Sequence, residues 1–290
     1  PIIRAARIIV VDDITAGWSA GEEAVEIGNA NETTTSGTAV ELSNPPIYLY
    51  ESAKRDGSVT IYFEAVFYSS SSGKSVEISL WNKTDNTQVI ELATTAANPT
   101  RVRSSAISLM DGKEYWVKKR SSSGKTCTLT GAKLIIQQSG TITKTQLHKK
   151  TAIYKSGTDT AYVRVENQVY LEKSNLLASL TFYYQPVLKV TSPNTAYSEL
   201  YDMDTPASVS GSEQSTTSTT YIRLRSASIS LTDLKQYDAR VKTSAGTYYT
   251  SAAWIVIDAV AQIIKEVTDS LGLADTILRN KTFPVTDSVG

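Results

Sequence analysis

The sequence predicts an all-β protein: two tandem antiparallel β-sandwiches, jelly-roll-like, with a short C-terminal extension. Three observations carry this expectation. Apolar and polar residues alternate through many short segments, as in Val59, Ile61, Phe63, Ala65 and Phe67 set against Thr60, Tyr62, Glu64, Val66 and Tyr68. Turn residues separate these segments at Ser72-Gly73, Asp111-Gly112, Ser123-Gly124, Ser192-Pro193-Asn194 and Ala245-Gly246. Finally, the pattern occurs twice, with Arg223 standing 122 residues after Arg101 in matching surroundings.

Taken in chain order, Ile2 to Val11 reads as a first strand, and Val76, Ile78 and Leu80 repeat the alternation of the Val59 segment. Arg101-Val102-Arg103-Ser104-Ser105-Ala106-Ile107-Ser108-Leu109 then aligns with Arg223-Leu224-Arg225-Ser226-Ala227-Ser228-Ile229-Ser230-Leu231. Tyr115 meets Tyr237, and after a one-residue gap Ala132-Lys133-Leu134-Ile135-Ile136 meets Ala253-Trp254-Ile255-Val256-Ile257. An ordered series at nearly one offset indicates duplication rather than chance likeness among Ser/Thr-rich strands. A join near Gln138-Ser139-Gly140 divides the chain into residues 1–138, residues 139–260 and a tail, 261–290. Seven or eight strands per unit suit a jelly roll, whereas an immunoglobulin sandwich would want a cysteine pair, and Cys127 is alone.

The strand type of Ala132–Ile136 occurs a third time, at Ala5-Ala6-Arg7-Ile8-Ile9-Val10, one more than two sandwiches need. Either the second unit begins instead with Thr143 to Tyr154, or a terminal strand is exchanged between subunits. The exchange reading makes Ile2, Ile3, Ile8, Ile9, Val10, Val11, Ile263, Ile264, Val267 and Leu271 the candidate assembly residues. The tail after Val260 fits one face of a broken helix or short extended segments, with extended structure favoured, and is too short to bury a core of its own. Val267-Thr268-Asp269-Ser270-Leu271-Gly272 restarts at Val285, which suggests a chain continuing past Gly290; Pro1 in place of Met suggests a removed leader or a fragment.

The 29 basic and 29 acidic residues leave no net charge to neutralise phosphates, which argues against a nucleic-acid partner. No apolar run approaches the ~18 residues of a membrane helix. One histidine, His148, removes most zinc sites and triads; with Lys149 and Lys150 beside it, it reads as part of a solvated charge cluster. Cys127 alternates as in a strand and reads as a buried, inert thiol. Asp12-Asp13 and Asp202-Met203-Asp204 space oxygen ligands closely but lack a calcium loop, so exposed turn carboxylates are expected. Gly28 and Gly37 make no phosphate loop, and no cofactor or metal is implied. The flat faces of Trp18, Trp81, Trp116 and Trp254 are the candidate glycan contacts, with Tyr48, Tyr50, Tyr183, Tyr184, Tyr248 and Tyr249 as further aromatics. Asn31, Asn82 and Asn280 head sequons compatible with secretion.

The duplicated Arg-Ser-x-x-Ile-Ser-Leu, Tyr and Ala-x-Leu-Ile-Ile pattern resembles the repeated β-sandwich modules of secreted and surface-layer proteins from prokaryotes, and the Val-Thr-Asp-Ser-Leu-Gly tail is similar to their spacer repeats. That resemblance implies an extracellular or cell-surface location and a structural or adhesive role, and transfers no functional residue. The expectation is therefore a noncatalytic structural protein that self-associates into a filament or surface array, with a carbohydrate-binding or adhesin pair taking polysaccharide as the alternative.

Overall fold

The computed structural model describes residues 18–29, 31–122, 124–152, 154–165, 167–173 and 178–261. The predicted assembly residues Ile2, Ile3, Ile8, Ile9, Val10, Val11, Ile263, Ile264, Val267 and Leu271 lie outside them, as do Asp12, Asp13 and Asn280.

The described chain is built from antiparallel strands. The first ten are β1 (Trp18–Gly28), β2 (Glu32–Thr34), β3 (Val40–Glu41), β4 (Tyr48–Tyr50), β5 (Ser58–Ser69), β6 (Val76–Asn82), β7 (Thr87–Thr94), β8 (Thr100–Arg103), β9 (Lys113–Arg120) and β10 (Cys127–Ile142). They form one sheet in the order β1-β10-β5-β8, with β2 also on β10, and a second in the order β3-β9-β6-β7, with β4 also on β9. Eleven more follow: β11 (Lys144–Ala152), β12 (Lys155–Gly157), β13 (Val163–Arg164), β14 (Val169–Leu171), β15 (Ala178–Val190), β16 (Ala196–Asp202), β17 (Ala207–Ser208), β18 (Gln214–Thr216), β19 (Ile222–Arg223), β20 (Lys235–Thr243) and β21 (Tyr248–Ala261). Their sheets repeat the plan as β11-β21-β15-β19 with β12, and β13-β20-β16-β17 with β14 and β18. In both halves the interrupted first strand lies beside the last, and alternate connections cross between the two sheets, which is jelly-roll order.

Each core follows from the period-2 pattern. Ile61, Phe63, Ala65 and Phe67 of β5 meet Ile78 and Leu80 of β6 and Tyr115 and Val117 of β9 inside the first sandwich. Tyr184 of β15, Leu200 of β16, Ala239 of β20 and Ile255 of β21 are among the matching core of the second.

The repeated Arg-Ser-x-x-Ile motif has a mechanical role. Ser104 Oγ accepts the Phe63 N–H at 3.0 Å, and the Ser104 N–H returns to the Phe63 carbonyl at 2.9 Å. Ser226 makes the same two bonds to Tyr184, at 2.9 and 2.9 Å. Three residues on, Ile107 and Ile229 bond to the Ile61 and Phe182 carbonyls. The motif thus fastens the irregular end of β8 or β19 to the central strand, and the repeated tyrosines secure the following turn, Tyr115 Oη accepting the Met110 N–H and Tyr237 Oη the Thr232 N–H, both at 2.7 Å.

The expected first strand, Ile2–Val11, lies outside the described residues, and the strand found beside β10 is β1, Trp18–Gly28. Its sequence is dominated by Glu, Ala and Gly, and among its residues with described side chains Val25 and Ile27 enter the core, so it shows little apolar alternation. At the join, β10 continues through Gln138-Ser139-Gly140 to Ile142, and Thr143 alone separates it from β11. Asp56 holds this passage, accepting the N–H groups of Thr143 at 2.8 Å and Lys144 at 2.9 Å together with the Thr143 hydroxyl. Burial raises the Asp56 carboxyl, but these donors outweigh it and hold the group below its ordinary value.

Candidate functional site

The two sandwiches meet over a surface that is apolar at its centre and charged around it. Ile47, from the segment before β4, packs with Val187, Tyr221, Ala252, Trp254 and Val256 on the outer face of the β21 sheet. Ser251 Oγ donates to the Pro45 carbonyl at 2.9 Å, and Tyr221 Oη to Asn44 Oδ1 at 2.7 Å. Arg223 grips Glu114 at 3.1 Å, Arg225 grips Glu51 at 2.5 Å, and Lys54 reaches Asp258 at 2.7 Å.

His148 lies in this junction. Its side chain is 2% exposed, with Nδ1 3.0 Å from Glu23 Oε1 and its ring edge-on to Tyr48. Glu23 also accepts the His148 N–H at 2.6 Å and Arg55 Nη2 at 2.7 Å, while Arg55 Nη1 donates to the Gln146 carbonyl. Burial pushes the Glu23 carboxyl up, but His148 and Arg55 beside it more than reverse that, so it sits below the usual carboxylate value. The solvated charge cluster expected here is corrected: β11 is an edge strand of its own sheet, yet His148 faces the other sandwich. Reading β11 alone gives no sign of that second layer.

The remaining candidates separate by burial. Cys127 is fully buried, its thiol pushed up to about 12 by desolvation and by the nearby Glu77 carboxylate. Asp202 caps a turn by accepting the N–H groups of Asp204 at 2.9 Å and Thr205 at 3.0 Å. No group of three His, Cys, Asp or Glu among the described residues could hold a metal ion, and no described helix is long and apolar enough to cross a membrane. Asn82 is buried with its amide on Asp85, which closes that sequon, while Asn31 is exposed at a positive φ of 64°.

Among the aromatics, the Trp18 side chain lies outside the described residues. Trp254 is 1% exposed between the sandwiches, which corrects its assignment as a glycan contact. Tyr48, Tyr50, Tyr184 and Tyr248 are buried in the cores, and Tyr183 and Tyr249 flank the junction. Trp81 and Trp116 differ from these. They are directly paired across β6 and β9, so both half-buried indoles occupy the outer face of the same sheet. Lys118 Nζ rests 3.9 Å from the Trp81 ring centroid and 5.7 Å from that of Trp116, and Lys83 Nζ is 5.5 Å from Trp116. Trp81 Nε1 donates to Ser79 Oγ at 2.8 Å, whereas Trp116 Nε1 has no partner among the described residues.

A cleft of about 650 Å³ opens on the opposite side of the first sandwich, where β1, β10 and β5 meet residues at the end of β11. Its wall includes Asn29, Glu64, Arg101, Lys133, Lys150 and Tyr154. At its edge Gly28 crosses β10 closely, where a Cβ would come 2.7 Å from Ala132 Cβ. Glu64 carries three cations: Arg101 at 2.6 Å, Arg103 at 3.0 Å and Lys133 at 3.2 Å. Burial raises its carboxyl and these cations, Arg101 foremost, bring it below the ordinary value. Sequence reasoning missed this site. Its contributors come from distant segments, and Arg101 and Arg103 carried a signal only as part of the repeat.

Fold and site together define a tandem jelly-roll protein. Neither the protein-family comparison nor the comparison with curated proteins returned a match. Solved structures similar to this chain include the tandem CBM22-1–CBM22-2 domain of Paenibacillus barcinonensis Xyn10C, at 8% identity and TM-score 0.24 over 82% of this chain and 94% of that one. The infectious bursal disease virus Gt strain structure gives 8% identity and TM-score 0.30 over 87% and 75%. The PBSX exported protein XepA gives 9% and 0.24 over 80% and 86%. TM-scores this low carry no argument, and the fold assignment rests on the strand pairing described above.

Proposed function

We propose that this chain is a noncatalytic extracellular module pair that binds polysaccharide. The observation that carries the reading is the Trp81–Trp116 pair, two indoles held side by side on a rigid sheet with lysine and amide groups around them. Sugar rings present apolar C–H faces that stack on such a surface, while their hydroxyls accept from Lys83 and Lys118. The noncatalytic part is supported by the positions of His148, committed to Glu23 at the junction, and Cys127, enclosed in the core. The extracellular part is supported by the exposed Asn31 sequon.

Strand addition at the first sheet is opposed by the charge on its edge, where β1 presents Glu22 and Glu26 to solvent. Titration of the protein with a panel of neutral polysaccharides tests the proposal. Trp81→Ala and Trp116→Ala are each expected to weaken binding about tenfold with unchanged melting of the cores. A panel with no binder, or binding indifferent to both substitutions, would reject it.

A further inference from the structure

The duplication shows what the cleft is in the second half of the molecule. Across β5 and β10, Glu64 pairs with Lys133; across β15 and β21, the equivalent pair is Gln185 with Trp254. Both ladders are interrupted at the same place, so Thr130 corresponds to Ser251, and the repeated motif makes Arg101 and Arg103 the counterparts of Arg223 and Arg225. In the second sandwich this patch is covered: Ile47 packs against Trp254, Ser251 binds the Pro45 carbonyl, and the two arginines grip Glu114 and Glu51. In the first sandwich Thr130 folds back onto the Val66 carbonyl at 2.8 Å, and the patch is the floor of the open cleft.

We propose that this cleft is a second ligand site, which binds the carboxylate of a uronic-acid-containing polysaccharide. The arginine pair is a carboxylate grip by its use in the other half, and the guanidinium fork matches that planar group. Around the cleft, Arg101, Arg103 and Lys133 share the carboxylate of Glu64, and Lys150 is paired with Glu26, the cross-strand neighbour of Lys133; with Glu22 near Arg101, four cations face three carboxylates and the cluster is left with one positive charge in excess. Lys150, which is bonded to Glu26 at 2.9 Å, lies 3.5 Å from Asn29 Oδ1 on the far wall, placing further polar groups within reach of hydroxyls. Tyr154, 41% exposed, supplies a flat face for a sugar ring.

The occupant is a sugar rather than a protein because of one difference between the halves. Trp254, the large apolar anchor of the protein–protein contact, is replaced at the equivalent position by Lys133, and anchors of that type dominate protein interfaces. Nor does the second sandwich offer a copy of the segment that fills the patch. Asn44-Pro45-Pro46-Ile47 before β4 corresponds to Val165-Glu166-Asn167-Gln168 before β14, so a second copy has no matching insert.

The site lies on the side of the sandwich opposite the tryptophan pair, so it stands or falls separately from the function proposed above. Calorimetric titration with oligogalacturonate at moderate salt is the test. Wild-type protein is expected to bind, Lys133→Gln to bind about tenfold more weakly, and the surface variant Tyr154→Ala to lose a similar factor. Glu64→Gln, which copies Gln185, frees the arginines and is expected to bind several-fold more tightly. A saturating neutral oligosaccharide should leave oligogalacturonate affinity unchanged, and if no neutral sugar binds at all, the tryptophan proposal fails while this one is still measured. No binding of oligogalacturonate would overturn the inference. So would equal affinity for dextran sulfate or poly-glutamate, weaker binding by Glu64→Gln, or displacement by the neutral sugar.

Discussion

β10 and β21 occupy the same position in the two jelly rolls, between the first and third strand positions of their sheets, and they bury different faces. The inward residues Leu134 and Ile136 correspond to Ile255 and Ile257, all in the cores. The outward residues diverge: Lys133, Ile135 and Gln137 on β10 stand where Trp254, Val256 and Asp258 stand on β21. Consequently Ser251 through Ile257 is buried without interruption, whereas on β10 the outward Lys133 and Gln137 are only half-buried and Ile135 alone of these three outward positions is buried. The difference teaches that duplication kept the inner face and the motif that fastens it, while the outer face was free to become a docking surface in one copy and an open cleft in the other.

Trp254→Ala breaks that comparison most severely. It removes the largest buried side chain at the junction and is expected to cost about 3–5 kcal/mol, mostly as lost attachment between sandwiches, since both cores keep their own residues. Chemical denaturation followed by tryptophan and tyrosine emission should then resolve two transitions, with the particle more extended in scattering. A single transition with unchanged dimensions would mean that the polar rim alone holds the halves together.

Acid should act on the same junction next. Glu23 is held below its ordinary value in the folded protein, so its contribution is complete above pH ~4.5, the value expected once the chain is unfolded, and is lost as pH falls through the lower folded value. Arg55, His148 and Tyr48 surround the carboxyl, and protonation removes the anion that pairs with the first two. Melting temperature measured from pH 7 to 3 should therefore drop more steeply for wild type than for Glu23→Gln, which starts lower and changes less. Parallel curves would show that Glu23 does not drive the acid response.

How much of this was legible in the sequence follows from which layer a residue belongs to. Alternation in β5 and the duplicated Ser104 and Ser226 disclosed the sandwich plan, because inner faces and fastening hydroxyls impose spacing that survives in one dimension. β1 escaped because Glu22, Glu23 and Glu26 surround Val25 and Ile27 and break the apolar alternation of a strand. Trp254 and His148 were misplaced for a common reason: each belongs to a strand whose second face is covered by the other sandwich, and local periodicity contains nothing about that contact. Trp81 and Trp116 were named as candidates, but their pairing depends on the β6–β9 register and could not be read from their separation in the chain. The cleft adds the further requirement that Arg101, Lys133 and Tyr154 converge from three segments.

The smallest expected effect sharpens the comparison at the repeated motif itself. Ser104→Ala and Ser226→Ala remove the same hydroxyl from the same geometry, in each case leaving the central-strand N–H of Phe63 or Tyr184 without its acceptor. Ser226 is 6% exposed beside Arg225, which grips Glu51 of the first sandwich, whereas Ser104 is only half-buried, so water can replace the lost oxygen there. Ser226→Ala is accordingly expected to cost about 1–2 kcal/mol and Ser104→Ala about 0.5–1 kcal/mol, measured by urea denaturation. Equal costs would mean that the junction does not exclude water from the motif in the second half. A larger cost for Ser104 would reverse the assignment of which copy has its outer face covered.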